Sequence, residues 1–133
     1  MMTKEQHINH WLDGAQYDWA GAEEAFNAML TQNAVIEIVR NYALDIKSHG
    51  VHLRYVFLYG SFAKGTQHEW SDIDVALVAD EFTGFTFNDH DLFPYVGIKK
   101  PYVRIETKTY PTDYFNEGDP FIEEIIKTGI KIL

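Results

Sequence analysis

The stretch Phe57-Leu58-Tyr59-Gly60-Ser61-Phe62-Ala63-Lys64-Gly65-Thr66-Gln67-His68-Glu69-Trp70-Ser71-Asp72-Ile73-Asp74-Val75-Ala76-Leu77-Val78 decides the fold of this chain. An apolar run, Val56, Phe57 and Leu58, stops at Gly60-Ser61, and after a ten-residue gap Asp72 and Asp74 open a second run, Ile73, Val75, Ala76, Leu77 and Val78. Side chains alternate faces along a strand, so Asp72 and Asp74 turn one way while Ile73 and Val75 turn into a core. The two Cβ atoms then stand roughly 6.5–7 Å apart, two rises of about 3.3 Å. Carboxylates aimed at one small volume repel each other unless a cation lies between them. A hard cation with oxygen ligands suits the pair, which points to Mg²⁺ and hence to phosphates. Taken alone, Gly60-Ser61 reads as an ordinary turn, and Ser71-Asp72 as another turn or cap. Asp74 argues for more, because it interrupts an apolar strand where Asp is depleted, and a local rule broken inside a strong element marks function.

Working outward, 133 residues suffice for one domain with a real core but not for two. A hydrophobic content of 46%, with 15% aromatic residues, argues for a folded globule rather than disorder. The formal net charge is −9 and no basic run occurs, which argues against long duplex nucleic acid as a partner. A single nucleotide that brings its own metal is compatible with such a surface. With no cysteine, disulfides and thiolate metal sites are excluded. The N-terminus lacks a signal-peptide core, and no stretch approaches the roughly 20 apolar residues of a membrane span. A soluble, cytoplasmic protein without membrane contact is expected.

Thr3 and Gln6 form a capping-box pattern ahead of Ile8, Trp11, Leu12, Ala15, Trp19, Ala22, Phe26 and Met29, an apolar stripe at helical spacing. A second helix is expected from about 33 to 48, burying Val35, Ile36, Val39, Tyr42, Ala43 and Ile46 and ending at Gly50. Strands are expected at about 53–59 and 73–79. Residues 80–101 read as an irregular loop with at most a short helix around 89–96, because Gly84, Pro94 and Gly97 break any long period. A third strand is expected over 102–110, with Val103 and Ile105 on one face and Arg104, Glu106 and Lys108 on the other. Asp119 and Pro120 open a last helix whose buried face would be Phe121, Ile122, Ile125 and Ile126, with Gly129 ending it. The histidines do not cluster. His7 and His10 read as surface residues, and Asp89, His90 and Asp91 as loop or cap residues.

At Gly60, Ser61, Asp72 and Asp74 the sequence resembles the nucleotidyltransferase superfamily related to DNA polymerase beta. The superfamily signature is an apolar strand, Gly-Ser, a gap of around ten residues, and Asp-x-Asp opening the next strand. Within it the chain is most similar to the minimal nucleotidyltransferases, over about residues 33–133. The resemblance implies an α+β fold, with a small mixed sheet of three to four strands flanked by helices. It implies that Gly60 and Ser61 hold the β- and γ-phosphates of a nucleoside triphosphate, with backbone N–H groups and the close approach that glycine permits. Lys64 would neutralise phosphate charge, Gly65-Thr66 would supply a second turn beside it, and Ser71 would join the nucleotide-binding set. Asp72 and Asp74 would be metal ligands. The superfamily needs a third carboxylate on a neighbouring strand, and Glu106 is the candidate, as third ligand and general base. The alternative for Glu106 is an ion pair with Arg104 or Lys108 on a wet strand face. Polymerase-like members more often carry Asp there, one methylene shorter. Two Mg²⁺ ions about 3.5–4 Å apart are implied, with Mn²⁺ as a substitute. ATP or another nucleoside triphosphate is the implied substrate.

The implied activity moves a nucleoside monophosphate, AMP foremost, onto a hydroxyl. By family resemblance the acceptor is a tyrosine of a HEPN toxin partner, which would make this chain an antitoxin. A partner-binding antitoxin without catalysis is one alternative. A small-molecule transferase acting on an antibiotic is another, although such relatives carry an acceptor-binding domain for which the chain has no room. Residues 1–32 are expected to form an amphipathic helix ahead of a catalytic domain at 33–133. With Trp11, Ala15, Asp18 and Ala22 this helix resembles the opening helix of HEPN domains, but the Arg-x4-6-His ribonuclease motif is absent. Its apolar face would pack on the core, form a homo-oligomer or bind a helical partner.

Overall fold

In a computed structural model of the chain, residues 30–133 are described; the expected N-terminal helix and its HEPN resemblance lie outside them. Helix α1 spans Gln32–Ser48 and starts where Thr31 caps it, its side chain accepting from the Ala34 N–H. Val35, Val39, Tyr42, Ala43 and Ile46 recur at three- and four-residue spacing, and all are buried. Ile36 is only partly buried and packs at the margin of the same core. Strand β1 follows at Leu53–Tyr59, then a single-turn helix α2 at Ser61–Lys64 and strand β2 at Ile73–Ala79. A short helix α3 (Thr86–Asp89) leads through three 3₁₀ turns into strand β3 at Ile105–Pro111. Helices α4 (Thr112–Glu117) and α5 (Pro120–Thr128) and the short strand β4 (Ile130–Lys131) complete the described part.

The fold is α+β. Its four-stranded sheet has the order β3-β2-β1-β4, with β1 antiparallel to β2 and β4, and β2 parallel to β3. Alternation along β2 splits the interior in two. Ile73, Val75, Leu77 and Ala79 join Val56 and Leu58 beneath α1. Ala76 and Val78 join Phe57 and Tyr110 beneath Phe115 of α4 and Ile122 and Ile125 of α5. Asp74 has the parity of this second face, one step beyond the part the helices cover.

Three expectations need correction. The third strand begins at Ile105, not at 102, because Pro101 holds Lys100–Tyr102 in a 3₁₀ turn and Tyr102 packs its ring 5.2 Å from that of Tyr42. Val103 therefore lies exposed before the strand instead of facing inward with Ile105. On α5 only Ile122 and Ile125 are buried, while Phe121 and Ile126 are exposed. A nine-residue helix against a small sheet covers one narrow stripe, so the flanking apolar positions stay outside. The short helix in the 80–101 region stands at Thr86–Asp89, slightly ahead of the expected place.

Candidate active site

Gly60 ends β1 with φ +75°, a left-handed conformation that favours glycine. A Cβ on it would run into Asp74 Oδ2, so the glycine also makes room for that carboxylate. The turn it opens is held from both sides. The N–H of Lys64 donates to the Gly60 carbonyl and that of Thr66 to Ser61, while Gly65 closes α2 with φ +73°. Gln32, at the start of α1, donates to the carbonyls of Phe62 and Ala63 at 2.9 and 3.3 Å. The Gly60-Ser61 turn is thus tied to the main core helix.

Asp74 stands on β2, opposite Tyr59 on one side and Glu106 on the other. Asp72 lies just before the strand and is exposed, as is Glu106. Burial raises the Asp74 carboxyl to about 6, helped by the negative charges of Glu106 and then Asp72. Tyr59 is pushed up to about 12 by burial, with Asp74 and Glu106 adding to it. The three carboxylates therefore share one electrostatic neighbourhood. Among the described residues no three His, Cys, Asp or Glu side chains stand close enough to be a ready-made metal cage.

The segment before Asp72 is pinned as well. Ser71 is buried, and its hydroxyl accepts the His68 N–H at 2.9 Å. Arg104 donates to the carbonyls of Ser71 and Glu69, and the Ile73 N–H donates to the Arg104 carbonyl at 3.0 Å, which starts the parallel ladder. Lys108 lies with its Nζ 4.7 Å from the centre of the Phe121 ring. Lys64 reaches Glu124 on α5 at 3.7 Å, an exposed pair of little energetic weight. Asp89 takes a structural place: buried, it accepts from the Thr83 N–H and hydroxyl, the Gly84 N–H and the Thr109 hydroxyl. It thereby ties the irregular segment to β3.

An apolar strand, a glycine turn fitted around an Asp, and a second acidic strand in register are the chain's distinguishing constellation. The model of the family described as "Polymerase beta, Nucleotidyltransferase" matches residues 41–133. The chain belongs to this family. Its nucleotidyltransferase domain includes β1, Gly60, the Asp72/Asp74 pair and Glu106. A solved chain described as "Crystal structure of the toxin-antitoxin with AMP-PNP" superposes over 71% of this chain and 72% of its own, with a TM-score of 0.50 and 19% sequence identity. At that identity the likeness concerns the nucleotidyltransferase fold alone. No curated protein matches the sequence significantly. Among the described residues, no helix is long and apolar enough to cross a membrane.

Tyr59 is the site neighbour that sequence reasoning passed over. It ends the apolar strand next to Gly60, and pairing that strand antiparallel with the next would have put it opposite Asp74. Helical spacing alone places Phe121 in the core, whereas in the fold it is exposed and its ring lies 5.6 Å from that of Tyr59.

Proposed function

We propose that this nucleotidyltransferase moves AMP from ATP onto a hydroxyl, using Asp72, Asp74 and Glu106 with Mg²⁺. The observation that carries the reading is the register pairing of Asp74 with Glu106 beside a glycine that a Cβ could not replace. The donor set fits a hard divalent ion: carboxylate oxygens from three residues, one of them raised to about 6 by burial and by the repulsion a cation would relieve. Mg²⁺ is commonly held by one or two carboxylates together with substrate phosphates. When bound, two such ions supply charge neutralisation at the phosphates and a more acidic acceptor hydroxyl.

The residues divide the remaining work. Gly60 and Ser61 offer backbone N–H groups to the β- and γ-phosphates, with the Gly65-Thr66 turn and Lys64 at their margin. Ser71 holds the segment that presents Asp72. Asp72 and Asp74 would hold the Mg²⁺ that neutralises the phosphates, since carboxylates by themselves repel a phosphate. Glu106, exposed on the adjoining strand, takes the acceptor's proton as its oxygen bonds to the α-phosphorus. The bond from that phosphorus to the bridging oxygen breaks in line, and pyrophosphate leaves. Most of the rate comes from positioning and charge complementarity.

The acceptor in this reading is a tyrosine of a HEPN-type partner in the cytoplasm, with the chain acting as its antitoxin. The likeness to a chain crystallised as a toxin–antitoxin with AMP-PNP supports the antitoxin role and the adenine nucleotide in this reading. The test supplies α-labelled or γ-labelled ATP with Mg²⁺ to wild type and Asp74→Asn, with a host-cell lysate as acceptor. Label moving from the α position alone, and with wild type alone, is expected. Transfer that survives Asp74→Asn with unchanged metal dependence would overturn the assignment. Tight partner binding with no transfer would favour an antitoxin without catalysis.

A further inference from the structure

Of the three carboxylates, Asp74 and Glu106 lie inside strands and are paired across the β2–β3 ladder. Asp72 stands outside. Strand β2 begins at Ile73, so this side chain is carried by the loop that leads into the strand. Its position therefore depends on what ties the loop to the sheet. Two bonds shape the turn from within: the Ser71 N–H donates to the His68 carbonyl at 3.0 Å, and the His68 N–H donates to the Ser71 hydroxyl at 2.9 Å. Neither reaches a neighbouring strand.

Arg104 supplies that attachment. It is half-buried at the entrance to β3, two residues before Glu106. Its main-chain carbonyl accepts the N–H of Ile73, the residue after Asp72, at 3.0 Å. Its guanidinium donates to the carbonyl of Ser71, the residue before Asp72, and at 3.4 Å to that of Glu69. One residue of the strand that carries Glu106 thus grips the chain on both sides of Asp72. Such a grip matters at this place because Mg²⁺ demands near-ideal octahedral geometry and tolerates little displacement of an oxygen ligand.

We infer that Arg104 is the positioning residue of Asp72, holding its carboxylate at the spacing from Asp74 and Glu106 that a shared divalent ion needs. The inference rests on the metal–nucleotide reading above. Arg104 does not itself ligate the ion, since a guanidinium carries only donors. It acts through the loop, and through Asp72 alone.

The test measures Mn²⁺ binding to the full chain in the presence of a non-hydrolysable ATP analogue, read from the electron paramagnetic resonance signal of the free ion. Wild type, Arg104→Ala, Asp72→Asn and the double variant are compared. Arg104→Ala is expected to weaken Mn²⁺ about tenfold, the lower end of what losing a group that orients a metal ligand costs. In the Asp72→Asn background the same change should cost nothing further, because its effect runs through the missing carboxylate. Arg104→Lys should fall between wild type and Arg104→Ala, since an ammonium keeps donors but loses the fixed planar direction. It carries the same comparison if Arg104→Ala fails to fold. A merely structural arginine would weaken binding equally in both backgrounds, and that result would overturn the inference. So would a Mn²⁺ affinity that the Arg104 variants leave unchanged. Binding that Asp74→Asn abolishes and Asp72→Asn leaves intact would overturn the inference alone. Wild type that binds no Mn²⁺ with the analogue would overturn the metal–nucleotide reading and the role of Arg104 with it.

Discussion

Asp74 on β2 and Glu106 on β3 are direct partners across a parallel ladder, and theirs is the pairing in that ladder where both members are acidic. Like charges facing each other across strands destabilise a sheet. The chain nonetheless fits a glycine around Asp74 and pins the segment before Asp72 with Ser71 and Arg104. Destabilising charges held in place by their surroundings are what a cation-dependent site requires.

Asp74→Asn should therefore separate function from stability. Transfer is expected to fall about 100- to 1,000-fold, the scale of losing one group that stabilises transition-state charge. Thermal melting of the metal-free variant should match or exceed wild type, because a repelled carboxylate is gone. Melting curves in EDTA beside a transfer assay check both halves.

The pH dependence follows from the same carboxyl. Asp74 in the folded protein is raised from 3.8 to about 6, by burial first and then by Glu106 and Asp72. The folded state thus holds this proton more tightly than the unfolded chain does. Its contribution to stability is complete below about pH 4 and is lost as pH rises through about 6. The melting temperature of Asp74→Asn minus that of wild type, in EDTA, should grow between pH 4 and 7. A flat difference would contradict the raised value. A Mg²⁺ ion held by Asp74, as proposed, would compete with that proton, so its affinity should decline as pH falls below about 6.

The glycines at 60 and 65 share a left-handed backbone but differ in surroundings. Around Gly65 a Cβ would meet open space, whereas at Gly60 it would meet the Asp74 carboxylate. Gly65→Ala should cost about 1–2 kcal/mol, the backbone strain alone, and keep most activity. Gly60→Ala adds the displacement of Asp74 to a similar strain. It should lower stability further and remove transfer, as denaturant melts and the label assay would show.

Asp89 carries a structural prediction away from the carboxylate cluster. Asp89→Ala would leave the donors on Thr83, Gly84 and Thr109 without their acceptor. A loss of about 2–4 kcal/mol is expected, measurable by urea titration. The carboxyl is already below its usual range, because these hydrogen bonds outweigh the opposing effect of burial. Its contribution is present above about pH 4 and lost as pH falls further.

The most local features were the most legible in the sequence. Leu53–Tyr59 and Ile73–Ala79 follow from apolar runs bounded by Gly60 and Asp72, and α1 follows from its stripe and Gly50. Asp74 stood out because it broke a strand pattern. The parts that depend on long-range placement were hidden. The start of β3 depends on Tyr102 packing against Tyr42, and β4 has only two residues to signal it. Helix α4 lacks a side-chain cap and buries only Phe115, so nothing periodic announces it. The Tyr59–Asp74 pairing and the place of Phe121 depend on how strands and helices meet, which no single segment encodes.

The most direct measurement is paramagnetic line broadening with Mn²⁺ and a non-hydrolysable ATP analogue, read from backbone amide spectra of wild type and Asp74→Asn. Selective broadening around Gly60-Ser61, Asp72–Asp74 and Glu106 in wild type, and its loss in the variant, is the predicted result. Broadening elsewhere on the protein, or the same pattern in Asp74→Asn, would contradict a metal–nucleotide site built on Asp74 and Glu106.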